Sequence, residues 1–391
     1  MKRTMLGIGV AAATAAAVTL TVGAANGAET GNGGGSSLAA YQKHENSVPG
    51  SYLVRLDDGA DPAAVAKRLG VKPNHVYDTV LTGFSAKLSD EQRQAVRDYT
   101  NVEAVSQNYE MKIDSPSAQA TTSWGLDRID QEALPLNDAY DHSATGEGVT
   151  SYIIDTGIQP DHPDFEGRAE VGFDSEGGDG VDCNGHGTHV AGTVGGTTYG
   201  VAPATNLVGV RVLDCGGSGS SAGVIAGMEW VADNAQAPAV ANMSLGGSKD
   251  ANLDAAATGL AEQGVFLAVA AGNESADACG SSPAGADGVY TTAASDDSDT
   301  SAEFTNFGEC VEGYAPGVDI TSAWLDGAEN TISGTSMASP HVAGVAALYK
   351  SANGDVSSSE LVTWLADNSS QGVIQGAPSG TPANLLFTNG L

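Results

Sequence analysis

From Trp124 onward the sequence alternates short β-branched runs with helix-length stretches, and this alternation restricts the fold more than any other feature. Strand-like runs occupy residues 150–154, 207–213, 239–243, 265–270 and 289–293. Helical candidates fall between and after them, at 189–194, 221–234, 253–263 and 357–367. Such alternation specifies an α/β fold, a mostly parallel sheet with helices on both faces. Reacting groups in these sheets collect at the carboxyl ends of the strands.

The chain before Trp124 reads differently. Lys2 and Arg3 precede an apolar, alanine-rich run over 7–22, and Val22-Gly23-Ala24 offers a cleavage site, so residues 1–25 read as a secretory signal. The run is short for a membrane anchor, and no later run approaches membrane length. A secreted, extracellular protein without stable membrane association is expected. Residues 26–50 are rich in Gly, Ser and Asn and read as a linker. A small α+β domain is expected over 51–113. It has strands at 51–56, 76–88 (broken at Gly83) and 102–113, a helix at 61–69 with Pro62 in its first turn, and a second helix opened by a Ser89–Gln92 capping box. That order suggests a split-βαβ sandwich. Residues 114–123 are Ser, Ala, Thr and Pro and form an exposed, cleavable connector. The α/β unit takes up 124–391.

Charge marks the same boundary. The net formal charge is −32. Residues 1–120 hold 11 Lys/Arg against 12 Asp/Glu, whereas 121–391 hold 5 against 36. Without a basic footprint, nucleic acid is excluded as a partner. The acidity fits solubility, bound cations or a salty environment. Four cysteines, Cys183, Cys215, Cys279 and Cys310, all follow the boundary. In a secreted chain they suggest two disulfides, with three possible pairings. No C-x-x-C spacing supports zinc.

Three segments each set one reactive side chain at the end of an element. Asp155 closes the apolar run Ile153-Ile154, where a carboxylate needs a hydrogen-bonding partner. His186 lies between Gly185 and Gly187 at a helix start. Ser336 follows Gly334-Thr335 at another helix N-terminus, where backbone N–H groups favour a developing anion. Serine needs a base to become a nucleophile, and the base needs a third group to fix its tautomer.

These segments resemble the signatures of the subtilisin superfamily: Tyr152 to Ile158 around Asp155, Gly185 to Gly192 around His186, and Gly334 to Gly344 around Ser336. The order Asp, His, Ser is that of subtilisins. Residues 124–130 and 212–219 are similar to the proteinase K branch, to aqualysin in particular, and 51–113 resemble the inhibitory propeptide of those enzymes. The resemblance implies a self-processing precursor of a broad-specificity serine endopeptidase that acts on proteins or peptides as a monomer. Its propeptide would be a transient intramolecular inhibitor. It makes Ser336 the nucleophile, His186 the base and acid, Asp155 its support, and Asn273 an oxyanion donor. Because all four positions are filled, an inactive binding protein of the same fold is disfavoured. A peptide groove argues against a dedicated esterase. Gly217-Ser218-Gly219 and Ser244-Leu245-Gly246 would line that groove by backbone. The resemblance also implies structural Ca2+, held by Asp287, Val289 and Glu312 at one site and Asp127, Asp130 and Gln131 at another. It pairs Cys183 with Cys215 and Cys279 with Cys310.

Overall fold

A computed structural model describes residues 38–113 and 124–391. The signal (1–25), the first part of the linker (26–37) and the connector (114–123) lie outside the described residues.

The small domain comprises β1 (Ala40–Gln42), β2 (Ser47–Leu56), α1 (Pro62–Arg68), β3 (Pro73–Tyr77), β4 (Gly83–Lys87), α2 (Asp90–Arg97) and β5 (Val102–Lys112). Local signals start both helices. Asp61 caps α1 ahead of Pro62, and Ser89 and Gln92 close the capping box of α2. The strand order is β1-β5-β2-β4-β3, antiparallel except for the β1–β5 pair. Without β1 this is the split-βαβ arrangement. Two expectations need correction. Residues 40–42 and 47–50 are strand rather than linker, because β1 adds to the free edge of β5. The strand expected over 76–88 is two strands separated by residues 78–82, which turn outward to meet the second domain.

The second domain follows as α3 (Trp124–Ile129), β6 (Thr150–Asp155), β7 (Ala169–Asp174), α4 (His186–Gly195), β8 (Asn206–Arg211), β9 (Ser218–Ser220), α5 (Ser221–Asn234), β10 (Ala239–Met243), β11 (Gly247–Ser248), α6 (Ala251–Glu262), β12 (Phe266–Ala270), β13 (Ser281–Ser282), β14 (Tyr290–Ser295), β15 (Gly313–Pro316), β16 (Ile320–Ala323), β17 (Glu329–Ile332), α7 (Thr335–Asn353) and α8 (Ser358–Asn368). Seven strands pair in parallel in the order β15-β14-β12-β10-β6-β8-β7. Successive strand residues serve opposite faces. Ile153, Val240 and Ala268 pack with α4 and α7, while Tyr152, Ile154, Ala241 and Val269 pack with α5 and α6. Both faces are therefore buried, as a parallel sheet requires. Disulfides join Cys183 to Cys215 and Cys279 to Cys310.

The two domains share a core. Leu53, Tyr77, Val80, Tyr109 and Met111 of the small domain are buried in the cluster that covers α5 and α6. Polar groups fix the register around it. Asn108 accepts from Ser221 Oγ (2.9 Å) and the Ala222 amide (3.0 Å) at the start of α5. Glu229, on the same helix, accepts the amides of Asp78, Thr79 and Val80, each at 2.8 Å. Removing this carboxylate would leave three amides unpaired at a buried interface. Glu229→Ala should weaken binding of a separate 39–113 segment to a 124–391 segment roughly a hundredfold. A dissociation constant equal to that of the unaltered pair would show that the clamp carries no affinity.

Candidate active site

Asp155 is the last residue of β6 and is wholly buried. Its Oδ1 accepts the Thr156 amide (2.7 Å) and the Nδ1–H of His186 (2.7 Å). This bond fixes Nε2 of His186 as the basic nitrogen. His186 opens α4 behind Gly185, whose φ is 107°. A side chain on Gly185 would also strike the Trp324 ring at 2.4 Å, so glycine is required on two counts. His186 Nε2 is buried and has no hydrogen-bond partner among the described residues.

Ser336 is the second residue of α7, behind Gly334. Its Oγ donates to the Ser244 carbonyl at 3.1 Å. The structure thus joins Asp155 to His186 and leaves the Ser336 hydroxyl on Ser244. Hydrogen bonds of this kind often tighten only when substrate is present. Asn273 follows β12, and its Oδ1 accepts both the amide (2.9 Å) and the hydroxyl (3.0 Å) of Thr335. Asn273 and Ser336 line one cavity of ≈ 400 Å³, together with Gly246, Gly272, Glu274 and, from the small domain, Lys112.

The end of β5 crosses this cavity's rim. Glu110, Met111 and Lys112 pair antiparallel with Ser220, Gly219 and Ser218. The Ile113 amide donates to Gly217 O at 3.1 Å, and Lys112 exchanges two 3.5 Å bonds with Gly246. A Cβ on Gly217 would lie 2.6 Å from Ile113, so the close approach depends on glycine. Gly217, Ser218, Gly219 and Gly246 thus pair with the segment. Leu245 turns its side chain into the core, and Ser244 bonds Ser336 instead.

Sequence reasoning missed two braces. Asp182, 5% exposed, accepts from Thr156 Oγ1, the amides of Asn184, Gly185 and Thr188, and Thr188 Oγ1, tying the turn after Asp155 to the start of α4. Its position four residues before His186 was the available signal. Asn306 binds Ala271 O, Glu274 and the Ala276 amide, holding the loop that carries Asn273. No local pattern announces it.

The expected metal ligands fall into two places. Glu312 accepts the Thr291 amide at 2.6 Å, two residues beyond Val289, and burial pushes its pKa up to about 7. The Asp287 carbonyl accepts from Thr258. Asp127 accepts the amides of Asn137 and Asp138, and the Gln131 amide donates to Ala133 and Pro135. Asp130 accepts the Asp141 amide, yet its Oδ1 is buried without a partner. Burial raises the Asp130 pKa, the Asp141 amide opposes the rise, and the carboxylates of Asp127 and Asp141 add to it. Among the described residues no three His, Cys, Asp or Glu side chains converge on a metal position.

The end of β5 is thus an extended segment held by its backbone along the rim of the cavity that Ser336 lines. Residues 146–387 match the model of the subtilase family, and residues 39–114 match peptidase inhibitor I9. The chain belongs to the subtilase family of serine endopeptidases. It is 42% identical over 371 residues to an extracellular serine proteinase of Thermus sp. (strain Rt41A), covering 88% of this chain and 90% of that one. It is 48% identical over 324 residues to alkaline serine exoprotease A of Vibrio alginolyticus, covering 81% of this chain but only 60% of that longer relative. The crystal structure of a cold adapted subtilisin-like serine proteinase matches 69% of this chain and 99% of its own, at 50% identity and a TM-score of 0.67.

Two further histidines lie beside the site. His189 and His341 are wholly buried, and each donates a ring N–H to a carbonyl, of Ile320 and of Met337. Burial lowers their pKa values to about 3 and about 4. Below about 6.5 the unfolded chain takes up protons that these folded rings refuse, so stability falls with pH down towards those folded values. The melting temperature should drop between pH 6.5 and 4.5, and His341→Gln should show a smaller drop. A variant that tracks the unaltered protein across this range would exclude His341 as a source of acid lability.

Proposed function

We propose that the protein is a secreted, self-processing endopeptidase of broad specificity in which Asp155, His186 and Ser336 form the catalytic triad. The observation that carries this reading is the pairing of residues 110–113 with Ser218–Ser220, Gly217 and Gly246, a substrate-like strand that leads towards Ser336. Main-chain pairing is indifferent to most side chains, which suits broad specificity. His186 Nε2 takes the Ser336 proton as Oγ bonds the scissile carbonyl carbon. The same proton then passes to the leaving amine as the C–N bond breaks. Water, deprotonated by His186, releases the acid and restores the serine. Asn273 and the Ser336 amide would stabilise the oxyanion. Thr335 holds this side chain in place, its amide and hydroxyl both donating to Asn273 Oδ1.

The first cut would fall in the 114–123 connector, directly after the paired strand. Residues 39–113 would then remain as a bound product and inhibitor until degraded. A relative named extracellular, together with the N-terminal signal pattern, supports export, and no helix among the described residues is long and apolar enough to cross a membrane. The protein would work as a monomer. Ser336→Ala should accumulate an uncut precursor of nearly full post-signal length. Efficient processing of that variant in a protease-deficient host would exclude self-cleavage at this serine.

Calcium fits the residues present. Asp130 carries an unpartnered buried oxygen among other carboxylates, and Glu312 is desolvated without a countercharge. Asp127, Asp130 and Gln131 would hold one ion, and Glu312 with the carbonyls of Asp287 and Val289 another. The ion would supply structural charge neutralisation, outside the reaction itself. A chelator such as EDTA should lower the melting temperature by mass action while leaving the kcat of still-folded enzyme unchanged. An identical melting curve with and without chelator would remove calcium from this account.

A further inference from the structure

Helix α7 contains a proline at Pro340, four residues after Ser336. In an α-helix the carbonyl of residue i accepts the amide of residue i+4. Pro340 has no N–H, so the carbonyl of Ser336 lacks its helical partner. It is a buried backbone acceptor, and such groups demand another donor. The structure supplies one from outside the helix: the Ser244 hydroxyl donates to Ser336 O at 2.7 Å.

A serine hydroxyl has one proton and can also accept, so its direction must be set. Asn242 sets it. Asn242 lies on β10, 1% exposed, between Ile153 of β6 and Ala268 of β12. Its Nδ2 donates to Ser244 Oγ at 2.8 Å. Having accepted there, Ser244 Oγ directs its own proton to Ser336 O. The other end of the Asn242 amide is fixed as well, because its Oδ1 accepts from Ser339 Oγ at 2.7 Å. The network therefore runs from β10 to α7 at two points, one on Ser336 and one on Ser339. One of the two strands neighbouring β10 is β6, which ends in Asp155. The same framework thus holds the serine and the carboxylate.

We infer that Asn242 is a positioning residue for Ser336, acting through the Ser244 hydroxyl, which replaces the backbone donor that Pro340 withholds. It touches no reacting atom. Its role is to fix the start of α7 against the carboxyl edge of the sheet, so that Ser336 Oγ and its amide stand where attack requires them. Small misplacements of a reacting group cost rate rather than binding.

This inference rests on the reading of Ser336 as nucleophile, and the test separates the two. Asn242→Leu and Ser244→Ala, made in the full precursor, should each lower kcat on a chromogenic peptide about tenfold. KM should stay within about twofold, because the pairing edges at Gly217–Gly219 and Gly246 are untouched. The double variant should be no worse than either single one, since both break one relay. Pro340→Ala supplies the missing amide. In that background Asn242→Leu and Ser244→Ala should lose little activity relative to Pro340→Ala alone, which a role in packing would not produce. If a variant fails to mature, the first-order rate of precursor self-cleavage replaces kcat, and its melting temperature reports whether it is folded. Wild-type kcat in Asn242→Leu, or a tenfold loss that persists in the Pro340→Ala background, overturns the inference. Ser336→Ala is run alongside. If it stays active the nucleophile reading itself falls, whereas an inactive Ser336→Ala beside a fully active Asn242→Leu condemns only the relay.

Discussion

A carboxylate with no solvent exposure ends the central region of a parallel sheet, and the surrounding architecture answers to that charge. Asp155 would be costly in an apolar interior. It is held by the next amide and by an imidazole, which in turn must enter from a helix start close by. Only glycine permits that entry at residue 185. Asp182 then locks the turn and the helix together by accepting five hydrogen bonds. One buried charge thus sets the approach of α4, and β10, which pairs with the strand carrying that charge, anchors the start of α7.

The small domain uses the same economy of partners. Its final strand extends the edge of β9, its loop at 78–80 sits on Glu229, and Asn108 serves the N-terminus of α5. A buried hydrogen bond between His44 and Asp250 (2.8 Å) adds a further tie. Backbone groups form the pairing of β5 with β9, the same edge that the proposed function gives to an extended peptide.

Much of this was legible in the sequence, for identifiable reasons. The apolar runs that became β6, β10, β12 and β14 are buried on both faces, so their composition alone marks them. The glycine-framed segments around Asp155, His186 and Ser336 are local patterns. The edge elements were less readable. β7 is largely half-buried and contains Glu170 and Asp174, β15 is only four residues long, and β1 sits in a Gly- and Ser-rich context. Val80 and Leu81 looked like a continued strand because they are apolar. Their partner is the far domain, where Gly259 leaves room for the Val80 carbonyl. Glu229 and Asn306 were invisible for a related reason: their partners are largely backbone amides that lie distant in the chain, so no residue type signals them.

The core shared between the domains has a consequence after maturation. Tyr77, Val80, Tyr109 and Met111 cover apolar side chains on α5 and α6, and the proposed degradation of the inhibitor would remove them. An enzyme matured in this way would be parted from those contacts. Its endurance would then be a matter of the height of the barrier to opening, a property of rate rather than of balance.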